Sequence, residues 1–235
     1  MNKNVSNVSI VSIYRLGIIG SIFIVIGTIF PSLFAISLRP KQPPWENVEV
    51  FVEHYHNIQS LPFYFGFFLI GGSIMLLTAI YLLSKAKLYP VLGLIFGIIG
   101  ASIVVLNYII QTTYVPAMVA EYTPSQAIIL KSFTMANPTS FAWALEMWGY
   151  GFIGLATLLA AVFFKNKGIE MTTKILFFLN GILSIGAAFY TAIDLGWVLT
   201  TPGYISFGLW NILYLLLAVM VIKVFLIRKN DTANL

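Results

Sequence analysis

Cysteine is missing from this chain, and charged residues are scarce at 9% of the total. Without thiols, the chain cannot form disulfides, iron–sulfur clusters or zinc sites built on thiolates. Soluble globular proteins carry about 25% charged residues, so this low content excludes an ordinary soluble domain. The hydrophobic fraction of 59% indicates an integral membrane protein instead.

Six apolar runs are long enough, at roughly 18 to 25 residues, to cross about 30 Å of hydrocarbon. They predict a single transmembrane domain over residues 1–235, an all-α bundle of six membrane-spanning helices. The predicted spans are 16–36, 61–83, 88–110, 141–164, 175–198 and 205–227.

The formal charge of +5 comes from basic residues scattered at the ends of the apolar runs. Topology explains such residues without a nucleic-acid partner. With a cytoplasmic N-terminus, ten basic residues face the inside and three face the outside, which predicts a plasma-membrane protein with both termini in the cytoplasm. The inner residues are Lys3, Arg15, Lys85, Lys87, Lys165, Lys167, Lys174, Lys223, Arg228 and Lys229, and the outer ones are Arg39, Lys41 and Lys131.

The two long outer connections each contain an amphipathic segment. After Pro43-Pro44, apolar and acidic residues recur every three or four positions over residues 45–58. The second segment begins with Thr123-Pro124-Ser125-Gln126, the spacing of a capping box with proline at the first helical position. We predict two amphipathic helices on the outer surface.

A small and polar stripe runs along the span 175–198, through Asn180, Ser184, Ala187, Thr191 and Asp194. These spacings place the five residues on one face of a helix with a period of 3.6. Polar residues inside a membrane face protein or water rather than lipid, so we expect this face to point into the bundle.

Glu146 lies about two turns inside the outer end of the fourth span, at a depth similar to that of Asp194. A carboxylate at mid-bilayer costs about 2.5 to 3.5 kcal/mol on insertion scales, and no Lys or Arg lies in the outer half of a span to neutralise it. Asn107 and Gln111, one turn apart, can hydrogen-bond across helices. That bonding serves either helix packing alone or a polar site shared with the two acids.

The first functional hypothesis is that this site binds or transports a small lipophilic or cationic molecule, with the acids as proton or cation acceptors. All five tryptophans fall in the outer half of the bundle, as in an aromatic belt or an aromatic cavity. The predicted ligand-binding residues are Asn107, Gln111, Trp143, Glu146, Tyr190, Asp194, Trp197 and Asn211.

The two histidines, His54 and His56, lie in the first outer segment. Glu53 and His56 have the spacing of a helical metal-ligand pair, and Glu49 can add an oxygen ligand. A solvated acidic face has the same pattern. We expect no metal and no cofactor. The alternative is a metal site whose ligands are Glu49, Glu53 and His56.

Two other classes stay open, because no catalytic motif is specific. One is a membrane-embedded enzyme acting on a lipid, with Glu146 or Asp194 as general acid or base and the histidine-bearing helix as a lid. The other is a structural or accessory subunit whose polar stripes contact other helices, including those of a second copy. Membrane lipids are expected partners in every case, and the sequence does not decide whether the protein is an enzyme.

The stretches LNYIIQTTYVPA, residues 106–117, and ALEMWGYGFIGLA, residues 144–156, resemble uncharacterised prokaryotic six-span membrane proteins of about this length. The resemblance implies a six-span fold and a membrane location. It transfers no functional residues, because no activity is assigned to those proteins.

Overall fold

The computed structural model describes residues 9–37, 42–85 and 87–233, and within these ranges the chain forms nine α-helices and no strand. Lys3, Arg39 and Lys41 of the charge-bias prediction lie outside the described residues. The long helices are α1 (Ile10–Ser37), α3 (Leu61–Leu83), α4 (Leu88–Ile109), α7 (Phe141–Ala160), α8 (Gly168–Ile193) and α9 (Thr201–Ala233). The short helices are α2 (Val48–Glu53), α5 (Val115–Ala120) and α6 (Ala127–Phe133). The predicted all-α class is confirmed.

In the described part of the chain, six helical segments are long and apolar enough to cross a membrane. Their outward faces carry large apolar side chains such as Ile182, Phe189 and Ile212, each at least 57% exposed. Soluble monomers rarely present contiguous apolar surfaces, whereas lipid solvates them. The protein is therefore a multi-pass integral membrane protein.

The six long helices alternate in direction and close into a ring. Each packs mainly against its neighbours along the chain, and α9 returns to pack against α1. Short connections join α3 to α4 and α7 to α8 at the end that we call the basic end, which makes these neighbours antiparallel. The opposite end, which carries α2, α5 and α6, is called the capped end.

Glycines let α4 and α7 approach closely. A Cβ atom on Gly100 would lie 2.5 Å from the carbonyl oxygen of Gly149, and one on Gly93 would lie 3.0 Å from that of Ala156. Small residues at such positions are the usual means by which membrane helices come into close contact. This contact fixes α4 against α7 below the polar residues at their capped ends.

The half of the ring near the basic end is filled with apolar side chains. Leu77, Ile80, Phe177, Val221 and Phe225 come from three helices and are at most 3% exposed. They belong to one continuous core. Enclosed space in the ring is therefore found in its capped half and at its basic mouth.

The fifth span differs from its prediction at both ends. Its helix α8 begins at Gly168 rather than residue 175, because the polar first turns are helical, with Glu170 bonded to Arg228. The helix ends at Ile193 rather than residue 198, since Asp194 adopts an extended conformation. Hydropathy identifies the apolar middle of a helix and not its hydrogen-bonded ends.

The two outer amphipathic segments are helical in part. The first is shorter than predicted, because α2 ends at Glu53 and a separate 3-10 turn follows over Asn57–Ser60. The second contains the predicted capping box, in which the backbone N–H of Thr123 donates to the side chain of Gln126 at 2.9 Å. Helix α6 continues from it.

Candidate functional site

Glu146 is buried in the capped half of the ring, with an exposed fraction of 7%. Asn107 Nδ2 donates to its Oε2 atom at 2.9 Å, and the Tyr108 hydroxyl donates to Oε1 at 3.0 Å. Both donors lie on α4, so the close packing of α4 on α7 positions the carboxyl group. Within the described ranges, no Lys or Arg forms an ion pair with it.

A chain of polar groups leads from Glu146 across the ring. The hydroxyls of Tyr108 and Tyr150 are 2.7 Å apart, and the Tyr150 ring meets Trp210 edge to face at 4.9 Å between centroids. Trp210 Nε1 then donates to Ser184 Oγ at 3.0 Å. Four helices thus contribute to one hydrogen-bonded and aromatic network, as expected for polar groups buried away from water.

The capped end of α4 continues into one π-helical turn, Ile110–Tyr114. The N–H of Val115 bonds to the carbonyl of Ile110, five residues back, which frees the carbonyl of Gln111. Ser60 Oγ donates to that carbonyl at 3.0 Å. Such turns occur frequently at functional sites, and this one ties the start of α3 to the site.

The side chain of Gln111 holds the connection that follows α6. Its Nε2 atom donates to the carbonyl of Phe133 at 2.7 Å, and its Oε1 atom accepts from the N–H of Met135 at 3.3 Å. Trp143 Nε1 donates to the carbonyl of Met135 at 3.0 Å. These bonds fix Met135 beside the carboxyl group.

Tyr55 reaches the site from the segment between α2 and α3. Its hydroxyl lies 3.1 Å from Ser60 Oγ. Burial raises the pKa of the Tyr55 hydroxyl above its ordinary value, although the hydrogen bond with Ser60 acts in the opposite direction. The hydroxyl is therefore neutral at physiological pH.

These elements line an open cavity of about 400 Å³, which we call the inner cavity. Glu146 is the one charged residue among the described residues that line it. Ten lining residues are aromatic, and they include Phe63, Tyr108, Trp143, Tyr150, Phe207 and Trp210. The inner cavity therefore combines one acidic group with a wall of ring systems.

A second space of about 450 Å³, the outer chamber, shares Phe51, Met135 and Tyr204 with the inner cavity. Tyr204 is 54% exposed, so this route leads to the surface at the capped end. Glu46 is the charged residue that lines the outer chamber in the described chain. The entrance and the cavity thus carry charge of the same sign.

Gln59 adds an unpaired donor to the inner cavity. It belongs to the lining, and its Nε2 atom is buried without a hydrogen-bond partner in the described part of the chain. A buried donor without a partner costs about 1 to 3 kcal/mol. An acceptor group on a bound molecule would satisfy it.

Five of the predicted ligand-binding residues meet at this site. Gln111, Trp143, Glu146 and Asn211 line the inner cavity, and Asn107 holds the carboxyl group. The tryptophans were predicted to form either an aromatic belt or an aromatic cavity, and they divide between the two. Trp143 and Trp210 line the cavity, whereas Trp148 is 37% exposed on the outer surface of the bundle.

Asp194, Tyr190 and Trp197 depart from the prediction, since none of them lines the inner cavity. Asp194 is exposed and caps the next turn by accepting from the N–H of Gly196 at 3.0 Å. Because α8 ends one residue earlier, Asp194 leaves the face that helical periodicity assigned to it. Tyr190 is 50% exposed, and Trp197 stacks behind the lining residue Phe207.

The rest of the α8 stripe faces protein, as predicted. Asn180 donates to Thr157 on α7 at 3.0 Å, and Ser184 accepts from Trp210 on α9. Thr191 accepts from Trp197 Nε1 at 2.8 Å. The stripe therefore serves mainly to pack α8 between α7 and α9.

The residues of the metal alternative are spread over an exposed surface. Glu49, Glu53 and His56 are all exposed. Glu49 accepts a hydrogen bond from the Tyr122 hydroxyl at 2.9 Å. Over residues 9–37, 42–85 and 87–233, no group of three or more His, Asp and Glu side chains is placed to hold a metal ion.

The sequence interpretation missed Tyr108, Tyr150 and Ser60 as site residues. Helical spacing contained a signal for two of them, because Tyr150 follows Glu146 by four residues and Tyr108 precedes Gln111 by three. Ser60 had no such signal. Its role depends on the carbonyl of Gln111, which is free because the π-helical turn pairs Val115 with Ile110 and Pro116 has no N–H.

Comparison of the chain with models of protein families, with curated proteins and with solved structures found no match. A proposal of function therefore has to rest on the chemistry of the inner cavity.

Proposed function

We propose that this membrane protein binds a small molecule with a positive charge and an apolar body in the inner cavity. In the orientation that the charge bias favours, the cavity opens to the outside of a plasma membrane, and both termini are cytoplasmic. The observation that carries the proposal is the lining of the cavity. Among the described residues that form it, the buried Glu146 is the one charged residue.

A carboxyl group in apolar surroundings is stable only with a proton or with a cation beside it. The faces of aromatic rings attract cations, by about 0.5 to 1 kcal/mol in water and about 2 kcal/mol when desolvated. The inner cavity contains both a carboxyl group and the faces of aromatic rings. Glu46 in the outer chamber adds negative charge along the entry route, which favours cations at the entrance.

The size and the remaining polar groups narrow the ligand class. Small-molecule sites typically measure about 300 to 1,000 Å³, and the inner cavity lies at the lower end of that range. Gln59 offers a free amide donor, so an acceptor atom on the ligand would be recognised in addition to its charge. Small amines that also carry an oxygen acceptor, such as a hydroxyl, ether or carbonyl group, have these properties.

Transport is an extension of this proposal. The apolar core at Leu77, Ile80, Val221 and Phe225 closes the ring toward the basic end. Carrying the ligand across the membrane requires a second arrangement in which this core opens, as in alternating access. Binding from the capped end requires no such movement.

The two alternative classes have less support from the geometry. The lipid-modifying enzyme was predicted to use Glu146 or Asp194 as acid or base, with the histidine-bearing segment as a lid. Glu146 and Phe51 of that segment line the inner cavity, but no second acid, base or nucleophile of the prediction does. A purely structural subunit would have no need of an aromatic cavity around a buried acid. Both classes predict that a small cation leaves the protein unchanged.

The test uses phenyltrimethylammonium and its uncharged isostere tert-butylbenzene as probes of the full chain in nanodiscs. Trp143 and Trp210 line the cavity, so their fluorescence reports binding, corrected for partition into empty nanodiscs. We expect the cation to bind at least about tenfold more tightly, because the carboxylate of Glu146 neutralises its charge in the apolar cavity.

Glu146→Gln should abolish the preference for the cation, while the exposed control Asp194→Asn should retain it. Equal affinity of the unmodified protein for both probes would overturn the proposal. A preference that persists in Glu146→Gln would overturn it as well.

A further inference from the structure

A separate cavity of about 550 Å³ opens at the basic mouth of the ring. The apolar core separates it from the inner cavity, so it is independent of the function proposed above. Four of its lining residues are cationic, and we call it the basic basin. These four are Lys85, Lys87, Lys165 and Arg228.

The basic basin keeps a net positive charge. Asp231 is the one acidic residue among its described lining residues, and Glu170 behind the wall pairs with Arg228. Two positive charges remain after both acids are counted against the four cations. The three lysines are exposed and make no ion pair within the described ranges.

Arg228 is held in place by its neighbours. Its Nε atom donates to Glu170 Oε1 at 3.1 Å, a second N–H bonds to Glu170 Oε2, and its guanidinium lies 4.6 Å over the ring of Phe163. A guanidinium carries five N–H donors, so donors remain after Glu170 is satisfied. A fixed planar donor group of this kind suits the oxygens of phosphate.

The lysines come from two different connections around the mouth. Lys85 and Lys87 lie in the turn between α3 and α4, where Lys85 has a φ of 55°, and Lys165 follows α7. Beneath them the basin is lined by apolar groups such as Leu83 and Val162. Cationic groups therefore converge above an apolar floor at the level where a membrane helix bundle meets water.

We propose that the basic basin binds the phosphate group of an anionic molecule, as a phospholipid headgroup or as a soluble phosphate compound. Basic pockets between membrane helices bind anionic headgroups by charge and by donors to phosphate oxygens. The convergence of Arg228 with three unpaired lysines provides both.

The test measures the thermal unfolding midpoint of the full chain in a neutral detergent with four added probes. These are phosphatidylglycerol, phosphatidylcholine, glycerol 3-phosphate and inorganic phosphate. The basin variant is Lys85→Gln/Lys87→Gln/Lys165→Gln. The matched control is Lys167→Gln/Lys223→Gln/Lys229→Gln, which removes equal charge from three residues at the same end that do not line the basin.

We expect at least one anionic phosphate probe to raise the midpoint of the unmodified protein and of the control, with phosphatidylcholine having the smaller effect. The apparent affinity of the basin variant should fall by at least about tenfold, and added salt should weaken binding. The substituted lysines are exposed, so the midpoint without a probe should change little.

The probes separate the two sources of phosphate. A response to phosphatidylglycerol alone assigns the basin to a lipid headgroup, and a response to glycerol 3-phosphate or inorganic phosphate assigns it to a soluble anion. Equal affinities in the basin and control variants would overturn the proposal, as would a midpoint that no phosphate probe raises above its value with phosphatidylcholine.

Discussion

The side-chain amide of Asn107 donates a 2.9 Å hydrogen bond to the carboxyl group of Glu146 and thereby joins α4 to α7 in the wall of the inner cavity. About two turns from Asn107 on α4, and less than one turn from Glu146 on α7, Gly100 lies against the backbone of Gly149. The glycine contact brings the two helices close together. The hydrogen bond between Asn107 and Glu146 forms because the helices are close. Packing and site geometry are therefore coupled.

Replacing Asn107 with Leu should lower the free energy of unfolding by about 1 to 3 kcal/mol, because a buried acceptor on Glu146 loses its donor. Reversible unfolding in mixed micelles measures the change. The control Asn211→Leu removes an amide that donates within its own helix, to the carbonyl of Phe207. A larger loss in the control than in Asn107→Leu would contradict the role assigned to Asn107.

Gly100→Ala should destabilise the protein, since the new Cβ would lie 2.5 Å from a backbone oxygen that cannot move aside freely. Overpacking of this kind costs about 1 to 3 kcal/mol, and a lowered melting temperature would report it. A Cβ atom on Gly208 would have no described residue within 4 Å beyond its own helix and chain neighbours, so Gly208→Ala is the matched control. Equal melting temperatures for the two variants would argue against close packing of α4 on α7.

Gln111→Leu should loosen the connection between α6 and α7, because it removes the bonds to Phe133 and Met135. Hydrogen exchange of residues 131–140 should become faster, since their opening costs less free energy. Ser102→Ala on the same helix removes a bond only to the carbonyl of Ile98 and should leave that exchange unchanged. Unaltered exchange in Gln111→Leu would show that other contacts hold the connection.

The tryptophans should separate into two groups by their accessibility. Trp148 faces outward and Trp210 lines the inner cavity, so Trp148→Phe should remove most quenching by brominated lipids. Trp210→Phe should instead reduce the fluorescence response to phenyltrimethylammonium. Fluorescence titration of both variants measures these effects. If Trp210→Phe removed the lipid quenching and Trp148→Phe removed the response to the cation, the placement of Trp210 in the inner cavity would be contradicted.

Several residues that the sequence singled out lie together in the structure, but the sequence did not predict their geometry. Glu146 was identified because an acid in an apolar run needs a partner, and Asn107 and Gln111 because they lie one turn apart. Helical periodicity placed Asp194 on the polar face of its span, but periodicity holds only while the helix continues. Helix α8 ends at Ile193, where Asp194 adopts an extended conformation and accepts from the N–H of Gly196.

What the sequence determined by itself is the membrane location, the six spans and the alternation of their directions. These follow from apolar length and from short connections, which are local properties of the chain. The tertiary structure alone decided that α9 closes the ring on α1, that Glu146 bonds to α4 rather than sharing a cavity with Asp194, and that four basic residues meet at the opposite mouth. Each of these depends on which helix faces touch, and side-chain packing between distant segments determines that choice.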